Sequence, residues 1–239
     1  MQALVWLDDD CSFPDIGLAL TEPNGLLAAG GDLSPKRLIE AYRCGIFPWY
    51  DEGQPILWWS PDPRCVIEPA QFKPSRSLAR KIARAEFNTT IDQDFVSVIA
   101  ACRFRDGDEG TWINEDMMQA YIDLYDAGVA HSVECYANGA LVGGLYGLSI
   151  GRLFFGESMF HKVSDASKVA FAALMQVMKA EGCPIVDCQI PNPHLISLGA
   201  GEMPRQEFQT ILRENLDKPP INWSEYHGKS ILPNESTSS

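Results

Sequence analysis

The chain has 239 residues, 46% of them hydrophobic and 21% charged, enough for one large folded unit or two modest ones with a real core. Thirty-two acids against 19 bases give a net charge of −13, which excludes a protein that coats nucleic acid nonspecifically. The first residues lack a basic leader region and no apolar run approaches the ~20 residues that span a bilayer, so neither a secretory signal nor a membrane anchor is expected. The seven scattered cysteines form no Cys-x-x-Cys pair and fit reduced thiols in a cytoplasmic protein.

Along the chain, residues 1–62 are rich in turn formers and aromatics, and two proline-broken runs, 45–50 and 55–63, predict little strand. Ser34 followed by Pro35 predicts a helix to about Arg43. Next comes a basic segment, with five of the nineteen bases between Lys73 and Arg84 and no acid among them. Arg76, Arg80 and Arg84 recur at i, i+4, i+8, one face of a short helix, and Lys81 lies among them. That face is either merely solvated or a local phosphate-contacting patch.

A strand from residue 88, a helix from Asp94 and a second helix from Asn114 to Ala127, stopped by Gly128, are then predicted. Three strands follow, at 131–136, 140–148 and 152–160, the first two joined by the hairpin signal Asn138-Gly139. Gly143-Gly144, inside the second, reads as a bulge or a close backbone approach. A helix to Glu181, a buried strand from Pro184 to Ile190 and a last helix from Pro204 to Leu216 complete the order. This sequence of elements suits an α+β acyltransferase core of the N-acetyltransferase type.

Asp187 and Gln189 fall on one face of the buried strand, with Cys188 on the other. A carboxylate and an amide projected together either orient an amine nucleophile or mark a strand-end Asp satisfied by its neighbours. Glu157, in the third strand of the meander, is expected on the adjacent ribbon. Ser158 is rejected as a hydrolase nucleophile because Phe160 takes the place of the second glycine in Gly-x-Ser-x-Gly. Cys188 and His194 lack a third orienting group for thiol chemistry. The four histidines are isolated, so no metal is expected, and no phosphate-cradling glycine loop is present. Trp49, Trp58, Trp59 and Trp112 lie in or beside loops, where a tryptophan is either core or a platform for an unpaired base.

Six blocks resemble the bacterial leucyl/phenylalanyl-tRNA-protein transferase family: residues 22–34 (Glu-Pro-Asn-Gly-Leu-Leu-Ala-Ala-Gly-Gly-Asp-Leu-Ser), Gly45-Ile-Phe-Pro-Trp, Ile56-Leu-Trp-Trp-Ser-Pro-Asp-Pro-Arg, Glu109-Gly-Thr-Trp-Ile, Gly156-Glu-Ser-Met-Phe and Asp187-Cys-Gln. The resemblance implies a small N-terminal domain (1–62) and a C-terminal domain of the acetyltransferase superfamily (63–231) with a mixed, largely antiparallel sheet flanked by helices; the polar, core-free composition of 232–239 predicts a disordered tail. It implies transfer of Leu or Phe, Met less well, from aminoacyl-tRNA to the N-terminal amine of proteins beginning with Arg or Lys, marking them for N-end rule degradation. No cofactor, no CoA, no metal and no membrane are implied. Trp49 and Trp112 match positions whose rings contact the terminal adenosine, and Asn192 a polar contact near it. Glu157, Asp187 and Gln189 match the reaction centre, Leu145 and Ile185 the amino-acid pocket. Arg76, Arg80, Lys81 and Arg84 are then the expected tRNA contacts. The proton route stays open among Asp187 directly, relay through Gln189, simple orientation of the amine, and the ribose hydroxyl. Two rivals remain: an acetyl-CoA acetyltransferase, which lacks its pyrophosphate loop here, and a noncatalytic tRNA-end-binding protein, which leaves Asp187 and Gln189 unexplained.

Overall fold

A computed structural model describes residues 4–104 and 113–232. Two sheets organise it. The first takes β1 (Val5–Leu7), β2 (Leu26–Gly30), β3 (Phe47–Pro48) and β4 (Leu57–Trp59) in the order β1-β2-β4-β3. The strand-poor reading of this region holds, since its strands span only two to five residues between prolines and turns, but those short strands still assemble into a sheet. They gain their hydrogen bonds from partners distant in sequence, which no local pattern reveals. Helix α1 (Pro35–Arg43) begins as expected, with Ser34 Oγ accepting from the Arg37 amide. Fully buried Arg37 donates to Asp32 and to the carbonyls of Asp8 and Asp10, fastening the N-terminal segment to α1.

The second sheet is built from β5 (Arg64–Ile67), β6 (Asn88–Ile91), β7 (Ala130–Ala137), β8 (Ala140–Ile150), β9 (Leu153–His161), β10 (Val186–Gln189) and β11 (Gly201–Met203). Its order is β11-β5-β10-β9-β8-β7-β6, antiparallel except for the β9–β10 pair. The helices are α2 (Arg76–Ala83), α3 (Phe95–Arg103), α4 (Glu115–Asp126), α5 (Ala166–Ala180), α6 (Pro193–Ser197) and α7 (Arg205–Asn215). Asp94 and Asn114 cap α3 and α4 through their side chains, as the sequence predicts. Asn138 and Gly139 both take positive φ, as a tight hairpin turn requires. The α+β organisation expected from the sequence is the one observed; in the larger sheet and its helices, β5, α6 and β11, three to five residues each, are additions to it.

Two core clusters lie on opposite faces of the large sheet. One gathers α1, α3, α4, α7 and the small sheet, including Leu38, Tyr42, Trp58, Phe95, Tyr121 and Phe208. The other is dominated by α5, with Val169, Phe171, Leu174 and Met178, and takes in Leu232, the first residue assigned to the tail. Gly143 permits this packing: a Cβ there would lie 2.6 Å from Ala166 Cβ at the start of α5. The close approach read from Gly143-Gly144 is thus real, and a bulge lies beside it: Cys135 faces Gly143 and Tyr136 faces Leu141, leaving Val142 as the extra residue of β8.

Candidate active site

The cleft arises from one broken pairing. β10 runs parallel to β9 only through Val186↔Phe154 and Asp187↔Phe155, while β9 continues along β8 to His161. Gln189 then adopts φ +55°, and Pro191 and Pro193, which have no amide hydrogen, follow. The chain therefore leaves the sheet, opening a wedge between β9 and the 188–195 segment. Its volume is about 1130 Å³, with Gly156–Lys162 on one wall and Cys188–Asn192 on the other. A polar residue in the left-handed region costs about 1–2 kcal/mol and persists only where its surroundings impose it.

Both polar groups at the apex sit beside bulges. Tyr146 faces Ser158 and Gly147 faces Gly156, so Glu157 is the extra residue of β9. Likewise Asp187 faces Val66 and Gln189 faces Cys65, leaving Cys188 as the extra residue of β10. Bulges re-aim side chains, and here they bring Glu157 and Gln189 together: Gln189 Nε2 donates to Glu157 Oε1 at 3.0 Å. Tyr42 Oη donates to the same oxygen, and Tyr121 Oη lies at hydrogen-bond distance from Oε2, each at 2.7 Å. Burial pushes the Glu157 carboxyl up to about 8; the two phenols pull it down, Asp187 adds to the rise and Arg64 opposes it.

Asp187 shares the α1-side face of the sheet with Gln189, as its spacing predicts, but is enclosed. Arg64 Nε and Nη2 hold its two oxygens at 2.8 and 2.7 Å, and the Gln189 amide donates to Oδ1 at 3.0 Å. The guanidinium also donates to Gly45 O and lies between the Phe47 and Phe208 rings, 4.8 Å from each centroid. Both partners of this pair are buried. Asp187 thus fixes the backbone that presents Gln189.

The remaining expected residues fall as follows. Trp49 lines the cleft, 42% exposed as a residue, with its ring tilted against that of Trp59. Trp58 is core, its indole N–H on Gly30 O. Asn192 lines the cleft and caps α6 through Oδ1. Leu145 lines the apolar wall with Phe171 and Leu174. Ile185 is buried in the α1-side core, next to Val186 of the cleft lining. Trp112 lies outside the described residues. On α2, Arg76, Arg80 and Arg84 are exposed, whereas Lys81 turns to Asp165 at 2.8 Å and so joins α2 to the start of α5 beside the cleft. Cys188 Sγ and His194 do not pair: His194 Nε2 lies 3.3 Å from Met159 Sδ. Sequence reasoning missed Arg64, Tyr42 and Tyr121. Arg64 was visible only as the last residue of the block Ile56-Leu-Trp-Trp-Ser-Pro-Asp-Pro-Arg; for the tyrosines the signal was a polar function inside an apolar stripe, Tyr42 four residues after Leu38 on α1 and Tyr121 four after Met117 on α4.

The leucyl/phenylalanyl-tRNA protein transferase profile matches residues 66–213, and that of its N-terminal domain matches residues 31–62. The chain belongs to this family. It is 54% identical over 218 residues to the leucyl/phenylalanyl-tRNA–protein transferase of Pseudomonas fluorescens (strain SBW25), covering 90% of this chain and 96% of that one. With the Azotobacter vinelandii (strain DJ / ATCC BAA-1303) protein of the same name, identity is 55% over 212 residues, covering 88% and 94%. A GCN5-related N-acetyltransferase from Kribbella flavida overlays with a TM-score of 0.36 at 11% identity, covering 67% of this chain and 58% of that one, too slight a likeness to bear on function. The chain is accordingly an aminoacyltransferase. No helix among the described residues is long and apolar enough to cross a membrane.

Proposed function

We propose that this enzyme takes Leu or Phe, and less well Met, from aminoacyl-tRNA and joins it to the N-terminal α-amine of proteins beginning with Arg or Lys, in the cytoplasm, marking them for N-end rule degradation. The amine nitrogen forms a bond to the ester carbonyl carbon, the bond to the ribose oxygen breaks, and that oxygen receives the proton the amine gives up. The ester is already activated, so geometry supplies most of the acceleration. No cofactor and no CoA enter the step.

One observation carries the reading. Gln189 Nε2 is committed to Glu157, so its amide oxygen is the atom left to accept a hydrogen bond from the attacking amine. Asp187 acts through the backbone of Gln189. Leu145, Phe171 and Leu174 offer the apolar wall a leucine or phenylalanine side chain needs. Trp49, an exposed residue of the cleft lining, offers its ring for the terminal adenine, and Asn192 a polar edge beside it.

The test is single-turnover transfer from radiolabelled Leu-tRNA to a peptide with free N-terminal Arg and to its N-acetylated twin. Label is expected only on the free-amine peptide, without CoA or ATP. Gln189→Ala is expected to lower the rate by roughly 10²-fold at unchanged tRNA binding. Label on the acetylated peptide would end the α-amine reading.

The exposed face of α2, held beside the cleft by Lys81–Asp165, supports a phosphate path for the tRNA acceptor arm. Replacing Arg76, Arg80 and Arg84 together by Gln is expected to raise KM for Leu-tRNA and flatten the dependence of log KM on log salt by about 2–3. An unchanged slope would remove α2 from the tRNA path.

A further inference from the structure

Tyr42 from α1 and Tyr121 from α4 meet Glu157 in a closed triangle. The hydroxyls lie 2.7 Å from one carboxyl oxygen each and 2.7 Å from one another. Three oxygen–oxygen contacts of hydrogen-bond length require three protons. The phenols bring two, and both keep them, because burial and the neighbouring carboxyl hold their ionisation well above the usual tyrosine range.

With Glu157 ionised, both phenol protons point at the carboxylate. The Tyr42–Tyr121 contact is then bare, two lone-pair oxygens 2.7 Å apart in a buried site. With Glu157 protonated, the count closes. Glu157 Oε2–H donates to Tyr121 Oη, Tyr121 to Tyr42 Oη, and Tyr42 to Glu157 Oε1. Gln189 sets the direction of this ring, because its Nε2 donates to Oε1 and so makes that atom the carbonyl oxygen.

We propose that Tyr42 and Tyr121 hold Glu157 as the neutral acid in the resting enzyme, and are positioning residues that, through Glu157, fix the Gln189 amide with its oxygen toward the incoming amine. A flipped amide would set two carbonyl oxygens against each other, which the neutral ring forbids. Glu157 is thus an orienting acceptor, and the amine proton does not come to rest on it at neutral pH. The other groups facing the ring leave this count unchanged: Asp187 on β10 is matched by Arg64 on β5, and Tyr146 on β8 adds one more phenol near the pair. The inference rests on the transferase reading only for the part played by Gln189.

Glu157→Gln is the decisive variant. Its amide reproduces the ring, with oxygen accepting from Tyr42 and Gln189 and nitrogen donating to Tyr121. It is expected to retain roughly tenfold more kcat/KM than Glu157→Ala at pH 7, since the amide keeps the ring's acceptor and one of its donors where alanine keeps neither. The wild-type rate is expected to decline on the alkaline side as Glu157 loses its proton, and that limb to vanish in Glu157→Gln, leaving only the rise from the amine. Infrared spectra read the proton independently of transfer: a protonated-carboxyl carbonyl band at pH 7, absent from Glu157→Gln and lost from wild type by pH 10. Absence of that band at pH 7, or a Glu157→Gln enzyme as impaired as Glu157→Ala, would overturn the proposal. If no variant or wild type transferred label yet the band were present, the transferase reading would fail and the neutral ring would stand.

Discussion

Replacing Arg64 with methionine is expected to destabilise the protein by about 3–5 kcal/mol and to abolish transfer. Methionine fills much of the same volume between Phe47 and Phe208, so packing changes little and the loss is electrostatic. Asp187 would be left as a buried carboxylate with one remaining donor, the Gln189 amide. A second substitution, Asp187→Asn, removes that charge but keeps an acceptor for the amide. The double variant is therefore expected to regain more than half of the lost stability, read as the urea midpoint at unchanged m-value. Its activity should stay low, since the fork that fixes β10 is gone. A single variant within about 1 kcal/mol of wild type would show that the pair does not hold β10 in place.

The same pair shows where sequence reasoning reached and where it stopped. Spacing placed Asp187 and Gln189 on one face, and that holds because the bulge between them is offset by the left-handed turn at Gln189. What spacing cannot give is the partner of Asp187, since Arg64 is 123 residues away and reaches it only through the β5–β10 pairing. Helix starts were legible because caps are local: Ser34, Asp94 and Asn114 each accept from an amide three residues on. The small sheet was not, because strands as short as Phe47–Pro48 carry no period and exist only through their neighbours. On α2, helical spacing identified the exposed arginines; Lys81, counted with them as a base of the same segment, faces Asp165 instead. Glu157 was placed on the adjacent ribbon by the order of elements, and its part in the reaction centre came from the family resemblance; its bulge and its two phenols came only from the fold.

Glu157 is also expected to make stability depend on pH in a window that carboxylates seldom control. Its folded pKa is about 8, against an ordinary glutamate value of about 4.3 once unfolded. Between those values the unfolded chain has released a proton that the folded chain retains. Stability therefore falls as pH rises: its contribution is full below about pH 4, declines up to about 8, and is flat beyond. Across that window the loss is about 1.4 kcal/mol for every pH unit, so the whole decline is of the order of several kcal/mol before water entering the ionised site reduces it. Asp32 and Asp165, whose pKa values are lowered, act in the opposite sense and below pH 4, outside this window. Glu134, raised by burial, sits unchanged in wild type and variant and cancels from their difference. Glu157→Gln has nothing to titrate, so its stability relative to wild type is expected to climb steadily in urea titrations at pH 5, 6.5 and 8.5. Its second amide hydrogen contributes a constant offset, since an acid brings one proton to the ring where an amide brings two. The slope of the difference, not its value at one pH, is therefore the quantity that reports the proton. A flat difference would place Glu157 ionised at neutral pH, with the Tyr42–Tyr121 contact held by other forces.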